Sequence, residues 1–150
     1  MLNIRRILAP TDFSRTSDAA VDYAINLAER VGAVVTVLHC YEIPIFGVPD
    51  GTFVATPEMV TRIQSAGQSA LDAAIAKRQD RKVPLDALLT EGRPWETIHS
   101  TAARIGADLI VIGTHGRRGF ARALLGSVAE KVIRTATLPV LTVHGPHEEA

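Results

Sequence analysis

The chain has 150 residues, 47% hydrophobic and 21% charged, and its sixteen basic residues balance sixteen acidic ones. This length suits one compact domain over residues 1–150 that buries roughly 68–70% of its unfolded surface. The zero net charge excludes proteins that coat nucleic acid or membrane surfaces, which need a basic excess.

The single cysteine, Cys40, rules out an intrachain disulfide and suits a reducing compartment. The start, MLNIRRILAPTDFS, has no signal-peptide pattern, and no apolar run approaches the roughly 18 residues of a spanning helix. The expectation is a cytoplasmic protein without membrane contact. Ile4 to Ala9 predicts a first strand, ended by Pro10. From Thr16 to Val31, Ala20, Tyr23, Ala24, Leu27, Ala28 and Val31 recur at helical spacing, and Gly32 stops the helix. Val34 to Cys40 is β-branched and mostly apolar, a buried second strand. Pro44, Gly47, Pro49 and Gly51 mark residues 41–56 as a long loop. Thr56 is the expected N-cap of a second helix, with Pro57 its first residue, and the pattern runs to about Gln79. Leu85 to Thr90 is a third strand; Pro94 opens a third helix and Gly106 closes it. Leu109 to Ile112 is a fourth strand, Ser127 opens a fourth helix, and Val140 to Val143, after Pro139, is a fifth strand.

This alternation predicts an α/β fold, a parallel sheet with helices on both faces. In such sheets a ligand sits beyond the carboxyl ends of the strands, where the strand order reverses. Pro10, Thr11 and Asp12, then Cys40, then the segment after the fourth strand all fall on that edge.

The segment from Leu109 to Ser127, LIVIGTHGRRGFARALLGS, carries the sharpest signal. Gly113, Gly116, Gly126 and Ser127 give the spacing Gly-x2-Gly-x9-Gly-Ser between a strand and a helix. Glycines there let backbone N–H groups approach a ligand, and the helix start adds unpaired N–H groups and a positive dipole end. His115, Arg117, Arg118 and Arg122 share the segment, and no acid lies between Asp108 and Glu130. Such a loop suits a phosphate. It is neither a Walker A loop nor a dinucleotide fingerprint, since both spacings are absent. A plain flexible turn is the bland alternative, and it leaves the acid-free run of cations unexplained.

Each residue also has a purely structural reading. Ser127-Val128-Ala129-Glu130 reads as a capping box, with serine at the N-cap, and capping and phosphate contact are compatible. Asp12 is either a turn or N-cap aspartate or a carboxylate aimed at a sugar hydroxyl, an amine or a metal. His115 either touches a phosphate or caps a backbone group. The three arginines are more often solvated than fixed. His39 and Cys40 are neighbours on a strand and so face opposite ways, which makes Cys40 a small apolar wall rather than a thiol–imidazole partner. His144 and His147 belong to no evident metal set.

With these residues in hand, the chain resembles the universal stress proteins of the small single-domain type. ILAPTDFS at the start, Gly113-x2-Gly116-x9-Gly126-Ser127, and LPVLTVH near the end carry the resemblance. It implies a Rossmann-like, five-stranded parallel sheet in the order 3-2-1-4-5, and a homodimer formed through the last strand, residues 140–143. It implies ATP between strands one and four, with a magnesium or manganese ion accompanying it. By position, Pro10, Thr11 and Asp12 would line the nucleoside and Cys40 the adenine. Ile112 and Gly113 would begin the phosphate loop, and Gly116, Gly126, Ser127 and Val128 would hold the phosphates. The implied role is regulatory, by nucleotide-dependent conformation or choice of partner. The alternatives are a slow ATP hydrolase, or a dimerisation module that binds another adenine nucleotide.

Overall fold

A computed structural model describes residues 2–115 and 125–145. Five strands, β1 (Arg6–Pro10), β2 (Val34–Tyr41), β5 (Leu85–Glu91), β6 (Leu109–Gly113) and β7 (Val140–Val143), form one sheet in the order β5-β2-β1-β6-β7. Every neighbouring pair in it is parallel. Renumbered within the sheet this is 3-2-1-4-5, as expected.

The helices divide between the faces because strand residues alternate. Ile7, Ala9, Val35, Val37 and Val111 face α1 (Arg15–Val31) and α2 (Pro57–Ala76). Leu8, Leu38, Ile110 and Ile112 face α3 (Pro94–Ile105) and α4 (Ser127–Thr135). Central strands buried on both faces explain the unbroken apolar runs of the sequence. Gly32 and Gly106 end α1 and α3 with φ of +73° and +66°, a left-handed conformation that glycine adopts without strain. Among the described residues, no helix is long and apolar enough to cross a membrane.

Three boundaries differ from the sequence reading. The loop expected over residues 41–56 contains an antiparallel hairpin, β3 (Ile45–Val48) and β4 (Gly51–Val54). Pro49 and Asp50 supply the turn, and Gly47 and Gly51 lie within the strands beside it. Helix α2 stops at Ala76 rather than Gln79, because the chain tightens there: Arg78 N donates to Ile75 O and Gln79 N to Ala76 O, three residues back. β1 starts at Arg6 rather than Ile4, since the Asp108 carboxylate takes the backbone N–H groups of Arg5 (2.8 Å) and Arg6 (3.0 Å).

Those two N–H groups hold the Asp108 carboxyl below its usual range. A depressed folded value means that this contribution is complete above the unfolded value near 3.8 and is lost as pH falls through the lower folded one. Asp108→Ala should therefore cost about 1 kcal/mol at neutral pH, a low figure because the group is half exposed and screened. The gap between variant and wild type in chemical denaturation should narrow below about pH 4; a gap independent of pH would contradict this account.

Candidate functional site

The site begins where the sheet splits. β1 stays paired with β2 as far as Pro10 opposite Leu38, and β6 with β7 as far as Gly113 opposite Val143. Between β1 and β6, pairing stops at Leu8 opposite Ile110. The cause is in the sequence. Arg5 O and Thr11 N bond toward β2, while Arg6 O accepts from Asp108 N on the β6 side. Even-numbered residues of β1 thus serve β6, and the next of them is Pro10, which has no N–H to give. A crevice opens between the carboxyl ends of β1 and β6, at the point where the strand order reverses.

One wall is the β1–α1 turn. Pro10 and Thr11 are buried, and Thr11 N donates to Leu38 O at 2.8 Å. Phe13 N donates to Thr11 Oγ1 (3.0 Å), and Thr11 Oγ1 lies 3.0 Å from Ser17 Oγ. Asp12 Oδ1 accepts from Ser14 N (3.0 Å) and Ser17 Oγ (2.9 Å). The turn reading of Asp12 is realised here, and the N-cap of α1 is Ser14, whose hydroxyl accepts from Ser17 N. Phe13 sits at φ +65°, costly for a bulky residue and maintained only by surroundings that over-determine it.

The opposite wall is the end of β6 and the start of α4. Ile112 is buried against α3 and α4. Gly113 is required by packing: a Cβ there would lie 2.9 Å from Thr16 Cγ2 and 3.1 Å from the Thr16 carbonyl. Buried Thr114 donates its N–H to Val143 O, and its carbonyl accepts from Gly126 N at 2.5 Å, tying α4 back onto β6. Thr114 Oγ1 lies 3.0 Å from His115 Nδ1, while His115 Nε2 is buried without a hydrogen-bond partner among the described residues. Gly116, Arg117, Arg118, Arg122 and His147 lie outside the described residues.

The capping-box expectation is corrected. Gly126 is the N-cap of α4 and Ser127 the first helical residue, so the serine comes one position too late, and no side chain caps the helix. Gly126 has φ −62° and ψ 153°, which any residue adopts, so its value as glycine is not conformational. Val128 leans into the second core cluster and Ser127 is exposed.

At the end of β2, His39 and Cys40 point to opposite faces. His39 packs against Phe13, with ring centroids 4.4 Å apart. Cys40 packs with the α3–α4 cluster. Burial pushes its thiol up to about 12; a hydrogen bond with Thr97 offsets part of this and Glu42 adds to it. His39, Ser14, Ser17, Thr97 and Thr114 escaped the sequence reading. Ser14 alone had a signal, as a serine ahead of a helical pattern.

Two features fit a phosphate group: the uncapped N-terminus of α4 at the crevice and the buried, unpartnered Nε2 of His115. A protein-built metal cage does not fit, since no group of three or more His, Cys, Asp or Glu gathers among the described residues.

Comparison with known proteins supplies the class. The profile of the universal stress protein family matches residues 3–144. The chain belongs to the universal stress protein family. Universal stress protein MJ0531 of Methanocaldococcus jannaschii is 37% identical over 147 residues, which cover 97% of this chain and 85% of that protein. The structure of UspA from Lactobacillus plantarum superposes with a TM-score of 0.80 at 26% identity, covering 94% of this chain and 98% of that one. A universal stress protein solved in complex with cAMP superposes with a TM-score of 0.72 at 24% identity, covering 96% and 99%; at that identity the likeness is one of fold.

The Cys40 environment makes a chemical prediction. A thiol near 12 is almost entirely protonated at pH 8. Alkylation of the native protein by iodoacetamide at pH 8 should be at least about a hundredfold slower than after unfolding in guanidinium. Equal rates would show that the thiol is neither buried nor raised.

Proposed function

We propose that the crevice between β1 and β6 is an adenine-nucleotide site, that its ligand is ATP, and that the protein acts as a nucleotide-dependent regulator rather than a dedicated enzyme. One observation carries the reading. The sheet parts at Pro10, and on the β6 side of that gap the uncapped N-terminus of α4 is tied to the residue that follows β6 by the Gly126 N to Thr114 O bond. A helix N-terminus without a side-chain cap and an imidazole nitrogen that is buried without a partner among the described residues, both anchored to Thr114, are suited to a phosphate chain.

In this reading Pro10, Thr11 and Asp12 flank the nucleoside and Cys40 forms the apolar wall on the α3 side. Ile112, Gly113 and His115 line the approach to the phosphates. Gly126, Ser127 and Val128 offer N–H groups to the phosphates, and Gly116 is assigned to them from the sequence motif alone. With no protein cage for a metal among the described residues, a magnesium or manganese ion would be held chiefly by the phosphate oxygens. Asp12 Oδ1 already accepts two hydrogen bonds, a poor starting point for a general base, which favours binding over hydrolysis. The cAMP-bound neighbour favours a second reading, in which an adenosine monophosphate occupies the same crevice.

Thermal denaturation of ligand-free protein tests this. ATP with magnesium at a hundred times its dissociation constant should stabilise the fold by about 2.7 kcal/mol. Gly126→Val keeps an allowed backbone and should cost about 1 kcal/mol as a poorer N-cap, while weakening ATP at least tenfold by placing methyl groups at the phosphates. Wild-type affinity in that variant removes Gly126 from the site, and competition by cAMP or AMP ranks the second ligand.

We also propose a homodimer through β7. This four-residue strand is one of the sheet's two edges, β5 being the other, and is only partly covered along its length. Val140, Leu141 and Val143 on an unpaired edge invite pairing, and a two-fold axis satisfies both copies at once. Light scattering at micromolar concentration should give about twice the chain mass of 16.1 kDa; the chain mass alone overturns the proposal.

A further inference from the structure

The β1–α1 turn is held by a side chain from outside it. The backbone register between β1 and β2 ends at Pro10, and Thr11 N makes the next bond, to Leu38 O. One step further, the Thr11 carbonyl lies 2.8 Å from His39 Nδ1. A carbonyl only accepts, so Nδ1 carries the proton in this bond, and in the neutral ring the lone pair resides on Nε2. The same ring stacks obliquely on Phe13, centroids 4.4 Å apart at 44°. Phe13 is the one described residue other than glycine with positive φ.

The imidazole is itself boxed in. Gly67 of α2 passes so close that a Cβ there would lie 3.5 Å from His39 Cδ2 and 3.0 Å from Leu89 Cδ1. A glycine inside a helix is costly, and here it makes room for Leu89, which a Cβ would crowd, while a Cβ would meet the His39 ring at ordinary contact distance.

We infer that His39 is a positioning residue for the nucleotide site: through the Thr11 carbonyl and the Phe13 ring it fixes the strained turn that presents Asp12. The peptide plane between Thr11 and Asp12 is set by the His39 bond, and the left-handed Phe13 is set by the ring contact. The Asp12 carboxylate then falls on Ser14 N and Ser17 Oγ. Without His39 the turn has a lower-energy extended route at Phe13, and Asp12 is released from its place at the crevice.

This inference rests on the proposed nucleotide site, and the experiment separates the two. Asparagine carries an amide nitrogen on the same branch atom as Nδ1, whereas the amide of glutamine lies one bond further out, nearer the position of Nε2. Isothermal titration with ATP and magnesium should show His39→Leu and His39→Gln weakened about tenfold, and His39→Asn restored to within about threefold of wild type. In parallel, amide hydrogen exchange at Phe13 and Ser14, followed by NMR without nucleotide, should quicken in the leucine and glutamine variants and not in the asparagine variant.

Wild-type affinity in His39→Leu, or no rescue by His39→Asn, overturns the inference. If wild-type protein binds no adenine nucleotide, the proposed function fails by itself. The exchange pattern then decides whether His39 holds the turn: quickening in the leucine and glutamine variants alone supports it, and uniform exchange refutes it.

Discussion

A missing proton donor shapes this molecule. A parallel sheet is a continuous net of backbone hydrogen bonds, and it admits a ligand between two strands only where the net is interrupted. Pro10 makes the interruption at one ladder and leaves the others whole, because its missing N–H points toward β6 while Thr11 still bonds to β2. The position matters as much as the residue. A proline one place earlier or later in β1 would have cut the ladder to β2, a bond between two central strands that the core depends on.

The break has to be stabilised on both sides, and the sequence spends polar residues to do it. Thr11, Asp12, Ser14 and Ser17 satisfy one another within a few ångströms, so the turn after β1 carries little unpaired polarity. Across the crevice, Gly113 and Gly145 lack side chains where Thr16 presses on them, which lets the first turn of α1 close over the ends of β6 and β7. Helix α1 therefore bridges the opening on one face of the sheet. On the other face the first turn of α4 approaches it without a capping side chain. The first N–H groups of α4 therefore have no side-chain partner of their own, and they would be donors for a ligand bound at that side of the crevice.

Much of the architecture was legible because its signals are local. Apolar runs with β-branched residues gave the five sheet strands, and glycines or prolines at helix ends gave their limits. The hairpin over residues 45–54 was hidden by its own turn. Pro49 and Gly51 read as loop punctuation, and four-residue strands are too short for periodicity to speak. The capping box at Ser127 failed by a single position. The residue pattern was correct, but the helix starts one residue earlier, at the Gly126 whose N–H is tied to Thr114 O just after β6, a bond that the four-residue pattern does not encode. The edge holding Pro10, Asp12, Cys40 and Gly113 was legible from topology alone. The bond from His39 to Thr11 was not, since it joins residues 28 apart and the motif that contains Thr11 says nothing of a partner on β2.

The same contrast bears on what the glycines are for. By spacing, Gly113 and Gly126 look alike, two small residues bordering one loop. By environment they differ: Gly113 is fixed by Thr16 and would be a glycine in a protein that bound nothing. Gly126 has an ordinary backbone conformation and caps its helix less well than the serine that follows would have done. A position that forgoes a capping side chain leaves the first N–H groups of its helix without a side-chain partner, and in the proposed site those groups would be donors for a phosphate. Of the two, Gly113 is the glycine that packing demands, whereas Gly126 has a backbone conformation open to any residue, so a side chain placed there tests the proposed site without straining the chain.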